Sequence, residues 1–110
     1  MINTNKIKGI FPILYTFFNK NNSIDFKLME DQISLILQQG CQGIAALGLA
    51  TEVNKLSLSE KIKIIELISK STQIKIPTAI TIQAKNYKDY IRLINVSKSN
   101  NIDWLILQPL

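Results

Sequence analysis

The sequence predicts an α/β protein in which parallel strands alternate with helices. Four short apolar runs are separated by three amphipathic segments along the 110 residues. The runs are nearly continuous in apolar residues, which is typical of strands that are covered on both faces, as in parallel sheets. The segments between them are long enough for right-handed helical crossovers. The predicted order is therefore β-α-β-α-β-α-β.

The predicted strands cover residues 7–15, 43–47, 76–82 and 104–107. Gly9 and Pro12 interrupt the first, and the third is rich in β-branched residues, which favour strands. Four parallel strands fit either the first half of a β/α barrel or part of an open doubly wound sheet. The glycines do not form a phosphate-binding G-x-G-x-x-G loop, which disfavours the open sheet.

The helices have recognisable ends. Asp25 can cap the first helix, which Gly40 ends because a left-handed residue is favourable for glycine. Ser57 and Glu60 form a capping box at the start of the second helix, and Asn86 precedes the third. The predicted apolar faces are Phe26, Met29, Ile33, Ile36 and Leu37, then Leu58, Ile62, Ile65 and Ile68, then Tyr90, Ile91 and Ile94.

Composition excludes several classes of function. The length suits one domain, no apolar run reaches the roughly 18 residues that span a bilayer, and residues 1–6 do not resemble a signal peptide. We therefore expect a cytoplasmic protein without a membrane partner. The net charge of +5 comes mostly from scattered lysines, and Arg92 is the sole arginine, so no nucleic-acid surface is predicted. Without histidine, and with the single Cys41, which we expect to be an inert small hydrophobe, no metal site is predicted either.

The segment around Gly48 carries the strongest functional signal. An apolar strand ends at this glycine, and Glu52 follows before the next helix. Parallel α/β proteins place their chemistry at the carboxyl ends of strands. Thr16 ends the first strand and Lys85 follows the third, so both are candidates for the same edge. The alternative roles are a backbone contact for Thr16 and a solvated surface position for Lys85.

Four segments in order resemble the dihydrodipicolinate synthase / N-acetylneuraminate lyase family of class I Schiff-base aldolases. Residues 9–18, followed by Asp25, resemble the opening strand of the family and its acidic loop. Residues 40–52 resemble its G-x-x-G-I strand and G-T-T-G-E turn, and residues 56–60 resemble its L-[ST]-x-x-E helix start. Residues 103–109 resemble the fourth strand.

The resemblance implies that residues 1–110 are a single incomplete domain, the N-terminal half of a (β/α)₈ TIM barrel. It implies lyase chemistry on pyruvate or a related 2-oxo acid through a lysine imine, without a metal or organic cofactor. The family keeps that lysine on its sixth strand and an assisting tyrosine on its fifth. We expect both to lie beyond Leu110, so this chain has no catalytic residue of its own and is expected to be inactive. The complete protein is expected to be a homo-oligomer, and this half could pair with a C-terminal half-barrel.

The resemblance also implies a set of substrate-binding residues: Thr16, Gly48, Leu49, Ala50, Thr51 and Glu52. In the family turn two threonines serve the substrate carboxylate and a proton relay, whereas this chain has Leu49 and Ala50, which lack hydroxyls. Thr51 replaces the usual glycine. These departures disfavour true synthase activity in the lysine pathway and suit another 2-oxo acid or sugar acid. Glu52 could orient the loop or simply pair with a neighbouring lysine.

Two alternatives to an aldolase fragment stay open. The first is a non-enzymatic half-barrel that serves as an oligomerisation or regulatory module. The second is an unrelated open α/β domain that binds a small molecule, which predicts a flat twisted sheet. A tyrosine and then a lysine on strands encoded downstream would support the aldolase.

Overall fold

Helices and strands alternate along the chain, as the sequence predicts. The computed structural model describes residues 11–48, 55–72 and 76–108. The elements are α1 (Phe26–Gln38), β1 (Ile44–Ala46), α2 (Leu58–Thr72), β2 (Thr78–Ile82), α3 (Tyr87–Ser99) and β3 (Trp104–Leu107). The three strands are parallel, and their spatial order is β1-β2-β3.

The first predicted strand pairs with β1, although its residues 7–10 lie outside the described part. Ile13 forms a parallel bridge with Ala45. The Leu14 amide donates to the Ala45 carbonyl at 2.8 Å, and the Ala45 amide donates to the Pro12 carbonyl at 2.9 Å. The order in space therefore follows the order in sequence from this segment to β3. A barrel is built in this way, whereas a doubly wound sheet reverses its strand order.

All three predicted helix starts are confirmed. Asp25 Oδ1 accepts a hydrogen bond from the Leu28 amide at 3.0 Å. The Ser57 amide donates to Glu60 Oε1 at 2.9 Å, and the Glu60 amide donates to Ser57 Oγ at 3.2 Å, which completes the capping box. The Asn86 side chain accepts from an amide in the first turn of α3 at 2.8 Å. Each cap satisfies amides that a helix leaves free.

The core lies between the helices and one face of the sheet. On that face β1 and β2 bury Ile44, Ala46, Ile80 and Ile82 almost completely. The predicted faces of α1 and α2 are buried or partly buried, and Gly40 after α1 has φ +73°. One prediction for α3 is wrong, because Ile91 is 36% exposed. Instead Leu93 is fully buried, so the inward face of the helix is rotated relative to the predicted one.

The opposite face of the sheet, here called the inner face, is partly open to solvent. Ile13, Ala45, Ala79 and Trp104 are aligned across the strands, and Thr81 and Ile106 form the next row. Residues aligned in this way point to one side of a sheet. Ile13 is 48% exposed, Trp104 38% and Ile106 50%. The expectation that the last strand is covered on both faces is therefore wrong in the described structure. Leu107, on the helix side of β3, is exposed as well.

None of the helices in the described ranges is both long and apolar enough to cross a lipid bilayer.

Candidate functional site

Two of the predicted substrate residues, Thr16 and Gly48, lie in the described structure at one edge of the sheet. We call it the carboxyl edge and define it by Thr16, Gly48, Thr81 and Gln83. Ile13 is aligned with Ala45 in a parallel bridge. Thr16 and Gly48 each follow these partners by three residues in the same direction. The first segment and β1 therefore end at the same edge, as the sequence predicts from the parallel order.

Gly48 lies beside β2 at this edge. A Cβ atom built on Gly48 would be 3.6 Å from Thr81 Oγ1, which is an ordinary van der Waals distance. Thr81 is 6% exposed and belongs to the inner face. Thr81 is not among the site residues predicted from the sequence. Its signal in the sequence was a hydroxyl one position before the end of a strand that is apolar apart from Thr78 and Thr81.

Thr16 is held within the protein rather than on its open surface. Its neighbours Tyr15 and Phe17 are 59% and 38% exposed, whereas Thr16 is 6% exposed. The side-chain amide of Gln32 on α1 fixes the backbone here, because it accepts from the Tyr15 amide and donates to the Tyr15 carbonyl, both at 2.8 Å. The end of the first segment is thus anchored to α1. A contact between Thr16 and a substrate stays a prediction.

The backbone before Gly48 is strained. Leu47 has φ +64° and is fully buried. A bulky residue rarely adopts this left-handed conformation, and such strain costs on the order of 1–3 kcal/mol and is concentrated at functional sites. The four predicted substrate residues that follow, Leu49, Ala50, Thr51 and Glu52, lie outside the described residues.

Lys61 is a buried lysine at the carboxyl edge that is absent from the residues predicted from the sequence. Its Nζ donates to the Gln83 carbonyl oxygen at 2.7 Å, and the residue is 8% exposed. Burial lowers the pKa of the Lys61 ammonium, the charge of Lys85 lowers it further, and the Asp89 carboxylate opposes both effects. The sequence did contain a signal for this burial. Residues 61, 64, 65 and 68 have the spacing of one apolar helix face, and residue 61 is the charged position on that face.

The other candidate side chains have plain environments. Lys85 is exposed, which agrees with the solvated alternative. Cys41 is a free thiol of intermediate burial. Across the ranges that the structure describes, His, Cys, Asp and Glu form no cluster that could hold a metal ion.

The opposite edge of the sheet, where the strands begin, is built for stability. The Thr78 amide donates to Asp103 Oδ2 at 2.8 Å, and the Thr78 hydroxyl is 3.4 Å from the same oxygen. This contact joins the start of β2 to the residue that precedes β3. In β/α barrels the amino-terminal face contributes to stability, and the carboxyl face carries the chemistry.

The overall arrangement matches solved structures. An N-acetylneuraminate lyase from Mycoplasma synoviae superposes with a TM-score of 0.89 at 23% identity, over 96% of this chain and 36% of that chain. YagE, a prophage protein of the dihydrodipicolinic acid synthase family from E. coli K12 solved in complex with pyruvate, gives a TM-score of 0.84 at 21% identity, over 92% and 34%. At these identities the likeness concerns the fold, which is the N-terminal part of a TIM barrel as predicted.

Sequence comparison identifies the family. The chain is 32% identical over 100 residues to the 4-hydroxy-tetrahydrodipicolinate synthase of Karelsulcia muelleri, which covers 91% of this chain and 34% of that protein. It therefore spans about a third of the length of this relative. The model of the dihydrodipicolinate synthetase family matches residues 6–107. The chain belongs to the dihydrodipicolinate synthetase family.

Proposed function

We propose that this chain supplies the N-terminal wall of the active site in a lyase that forms or cleaves a carbon–carbon bond through a lysine imine. The substrate class is pyruvate or a related 2-oxo acid. The observation that carries the proposal is the convergence of Thr16, Gly48 and Thr81 at the carboxyl edge of a parallel sheet. In β/α barrels this edge holds the substrate. Membership of the family supports the reaction class.

In this reaction class a lysine amine attacks the ketone carbon of the 2-oxo acid and water leaves. When the bond on the far side of the carbon next to the imine breaks, its electron pair moves into the iminium and gives an enamine. When that bond forms, the enamine supplies the pair and the iminium returns. The iminium formed on the lysine is itself the electron sink, so the proposal needs no metal or organic cofactor. The lysine and the assisting tyrosine are assigned to sequence outside this chain. The backbone amides of Ala50 and Thr51 are assigned to the substrate carboxylate, and Glu52 is assigned to the orientation of the loop.

The composition of the turn guides the choice of substrate. Leu49 and Ala50 stand where the resemblance implies threonines, so a side-chain proton relay through residue 49 is excluded. Backbone amides at Ala50 and Thr51 can still donate to a carboxylate. This composition favours a 2-oxo acid or sugar acid other than the substrate pair of the lysine-pathway synthase. The pyruvate named for YagE supports the 2-oxo acid class.

The open inner face supports the assignment of the chain to an incomplete barrel domain. Ile13, Trp104 and Ile106 expose apolar surface on the side that a closed barrel fills with side chains. We propose that a C-terminal half-barrel covers this face, that the complete protein is a cytoplasmic homo-oligomer, and that residues 1–110 alone are inactive. An unrelated open α/β domain is not favoured, since it leaves the family relationship unexplained. No observation on the described residues favours a non-enzymatic half-barrel module.

A chimera tests the proposed function. This chain replaces the matching segment of the Karelsulcia muelleri synthase, and the purified chimera is incubated with pyruvate and borohydride. Intact-mass and peptide measurements should find one reduced pyruvate adduct, on a lysine of the synthase portion. As a matched pair, the same chimera with Leu49→Thr and Ala50→Thr should condense pyruvate with the synthase's second substrate faster than the chimera without these changes.

The chimera must be shown to be folded before the trapping result is interpreted. Circular dichroism and a cooperative melt provide that control, and the unaltered synthase provides the positive control for trapping. A folded chimera without an adduct would contradict the proposal that this chain forms a working wall of the pocket. An adduct on a lysine of residues 1–110 would contradict the assignment of the nucleophile to sequence outside this chain.

A further inference from the structure

We propose that Lys61 is a positioning residue that fixes the turn after β2 and thereby sets the shape of the carboxyl edge. The inference rests on the proposed function insofar as that edge is taken to face the substrate. Among the residues in the described ranges, Lys61 is the one charged side chain that is buried. A buried ammonium is costly unless it makes a hydrogen bond or an ion pair, so its partner identifies its role.

The partner of Lys61 is the first carbonyl group after the end of β2. The Ile82 carbonyl, at the end of β2, accepts from the Gln108 amide at 3.2 Å. The next carbonyl belongs to Gln83, and it accepts from Lys61 Nζ at 2.7 Å. A side chain from α2 thus continues the hydrogen bonding of the sheet by one residue. The two residues are 22 positions apart, so this bond ties separate elements together.

The charges around Lys61 point to a role for the bond itself rather than for an ion pair. In the described part of the chain no salt bridge of Lys61 is found within 4 Å. The Lys85 charge disfavours the ammonium and the Asp89 carboxylate favours it. The backbone carbonyl is therefore the group that Lys61 directly contacts, and charge-assisted bonds of this kind are the stronger ones.

The position of the turn explains why this bond matters at the edge. Gln83 follows Thr81 by two residues, and Thr81 Oγ1 lies beside Gly48. A shift of the turn would move Thr81 relative to Gly48 and change the spacing between the ends of β1 and β2. Lys61 therefore acts through the backbone at Gln83 and does not itself contact substrate.

Three variants of the 110-residue chain test the proposal by amide hydrogen exchange. Lys61→Met removes the donor and keeps the length of the side chain. Lys61→Arg keeps a donor, and Lys63→Met changes an exposed lysine on the same helix. Lys61→Met should raise exchange of the hydrogen-bonded Asp89 and Tyr90 amides that follow the turn about tenfold or more. This corresponds to the loss of about 1.4 kcal/mol of local protection. Lys63→Met should change nothing, and Lys61→Arg should restore most of the protection.

A measurement on the unaltered chain keeps the test valid if Lys61→Met does not fold. The Lys61 ε-carbon and the Gln83 carbonyl carbon are followed by NMR as pH rises. The two resonances should titrate together, with a midpoint below that of an exposed lysine. A Gln83 resonance that ignores the Lys61 titration would overturn the proposal, as would equal exchange in the Lys61→Met and Lys63→Met variants. No pyruvate is involved, so this result and that of the chimera can fail independently.

Discussion

Gly48 lies against Thr81: a Cβ atom on the glycine would be 3.6 Å from the threonine hydroxyl oxygen. This relationship joins the end of β1 to the end of β2 at the carboxyl edge. Among the described residues Gly48 leaves space for a methyl group, and its conformation is not left-handed. The glycine is therefore not required by the packing around it, and its neighbourhood differs sharply from that of Gly43 at the start of the same strand.

Gly48→Ala and Gly43→Ala form a matched pair for testing this difference. An added methyl at Gly48 meets ordinary contact distances, so the free energy of unfolding should change by less than about 1 kcal/mol. A methyl at Gly43 would overlap the ring of Phe11, and relieving that overlap should cost about 1–3 kcal/mol. Urea denaturation of both variants measures the difference. Equal stabilities would contradict the described packing of Phe11 on β1.

Asp103→Ala tests the contact between Thr78 and Asp103 at the edge where the strands begin. The Thr78 amide would lose its acceptor while Thr78 is 3% exposed. An unsatisfied buried amide that had bonded to a carboxylate should cost about 1.5–3 kcal/mol of stability. Asp31→Ala is the control, because its contact with Lys27 lies between exposed side chains and should not affect stability measurably. An unchanged free energy of unfolding in Asp103→Ala would show that this contact does not stabilise the fold.

The inner face predicts association of the isolated chain. Exposed apolar surface on an incomplete sheet favours contacts between copies. Ile106→Lys places a charge on this face and should shift the chain towards monomers in light scattering after size exclusion. Tyr87→Lys, on the first turn of α3 where the side chain is 70% exposed, should leave association unchanged. An unaltered chain that is already a monodisperse monomer with a cooperative melt would show that the inner face does not self-associate.

The lowered pKa of Lys61 predicts a dependence of stability on pH. In the unfolded chain the lysine keeps its usual pKa of about 10.4, whereas burial lowers the pKa in the folded chain. The unfolded state therefore binds more protons between the two values, and stability gains from this group as pH rises through that window. Denaturation of the native chain and of Lys61→Met at several pH values isolates the effect, with Lys85 and Asp89 present in both. An unchanged difference across the window would contradict the prediction.

Local patterns in the sequence were sufficient to predict the helix caps. Asp25, Ser57 with Glu60, and Asn86 act on amides within three residues, so spacing alone identifies them. The parallel order also followed from apolar runs separated by helical segments. Because parallel strands end at a common edge, that order alone was enough to predict that Thr16 and Gly48 lie at the same edge of the sheet.

Contacts between distant segments could not be predicted in this way. Lys61 meets Gln83 because α2 packs against the end of β2, and Thr81 meets Gly48 because of the register between two strands. The burial of Leu93 instead of Ile91 depends on the rotation of α3 against its neighbours. These features arise from tertiary packing, which hydrophobic periodicity does not specify closely.

We propose that this chain forms one wall of an imine-forming pocket whose nucleophile lies elsewhere. Borohydride trapping on the 110-residue chain alone tests this directly. The chain is incubated with pyruvate, reduced and weighed by intact-mass spectrometry. We expect an unchanged mass. Lys61 should be as unreactive as the other lysines, because its amine is buried and bonded to Gln83. A stoichiometric pyruvate adduct on a single lysine of this chain would contradict it.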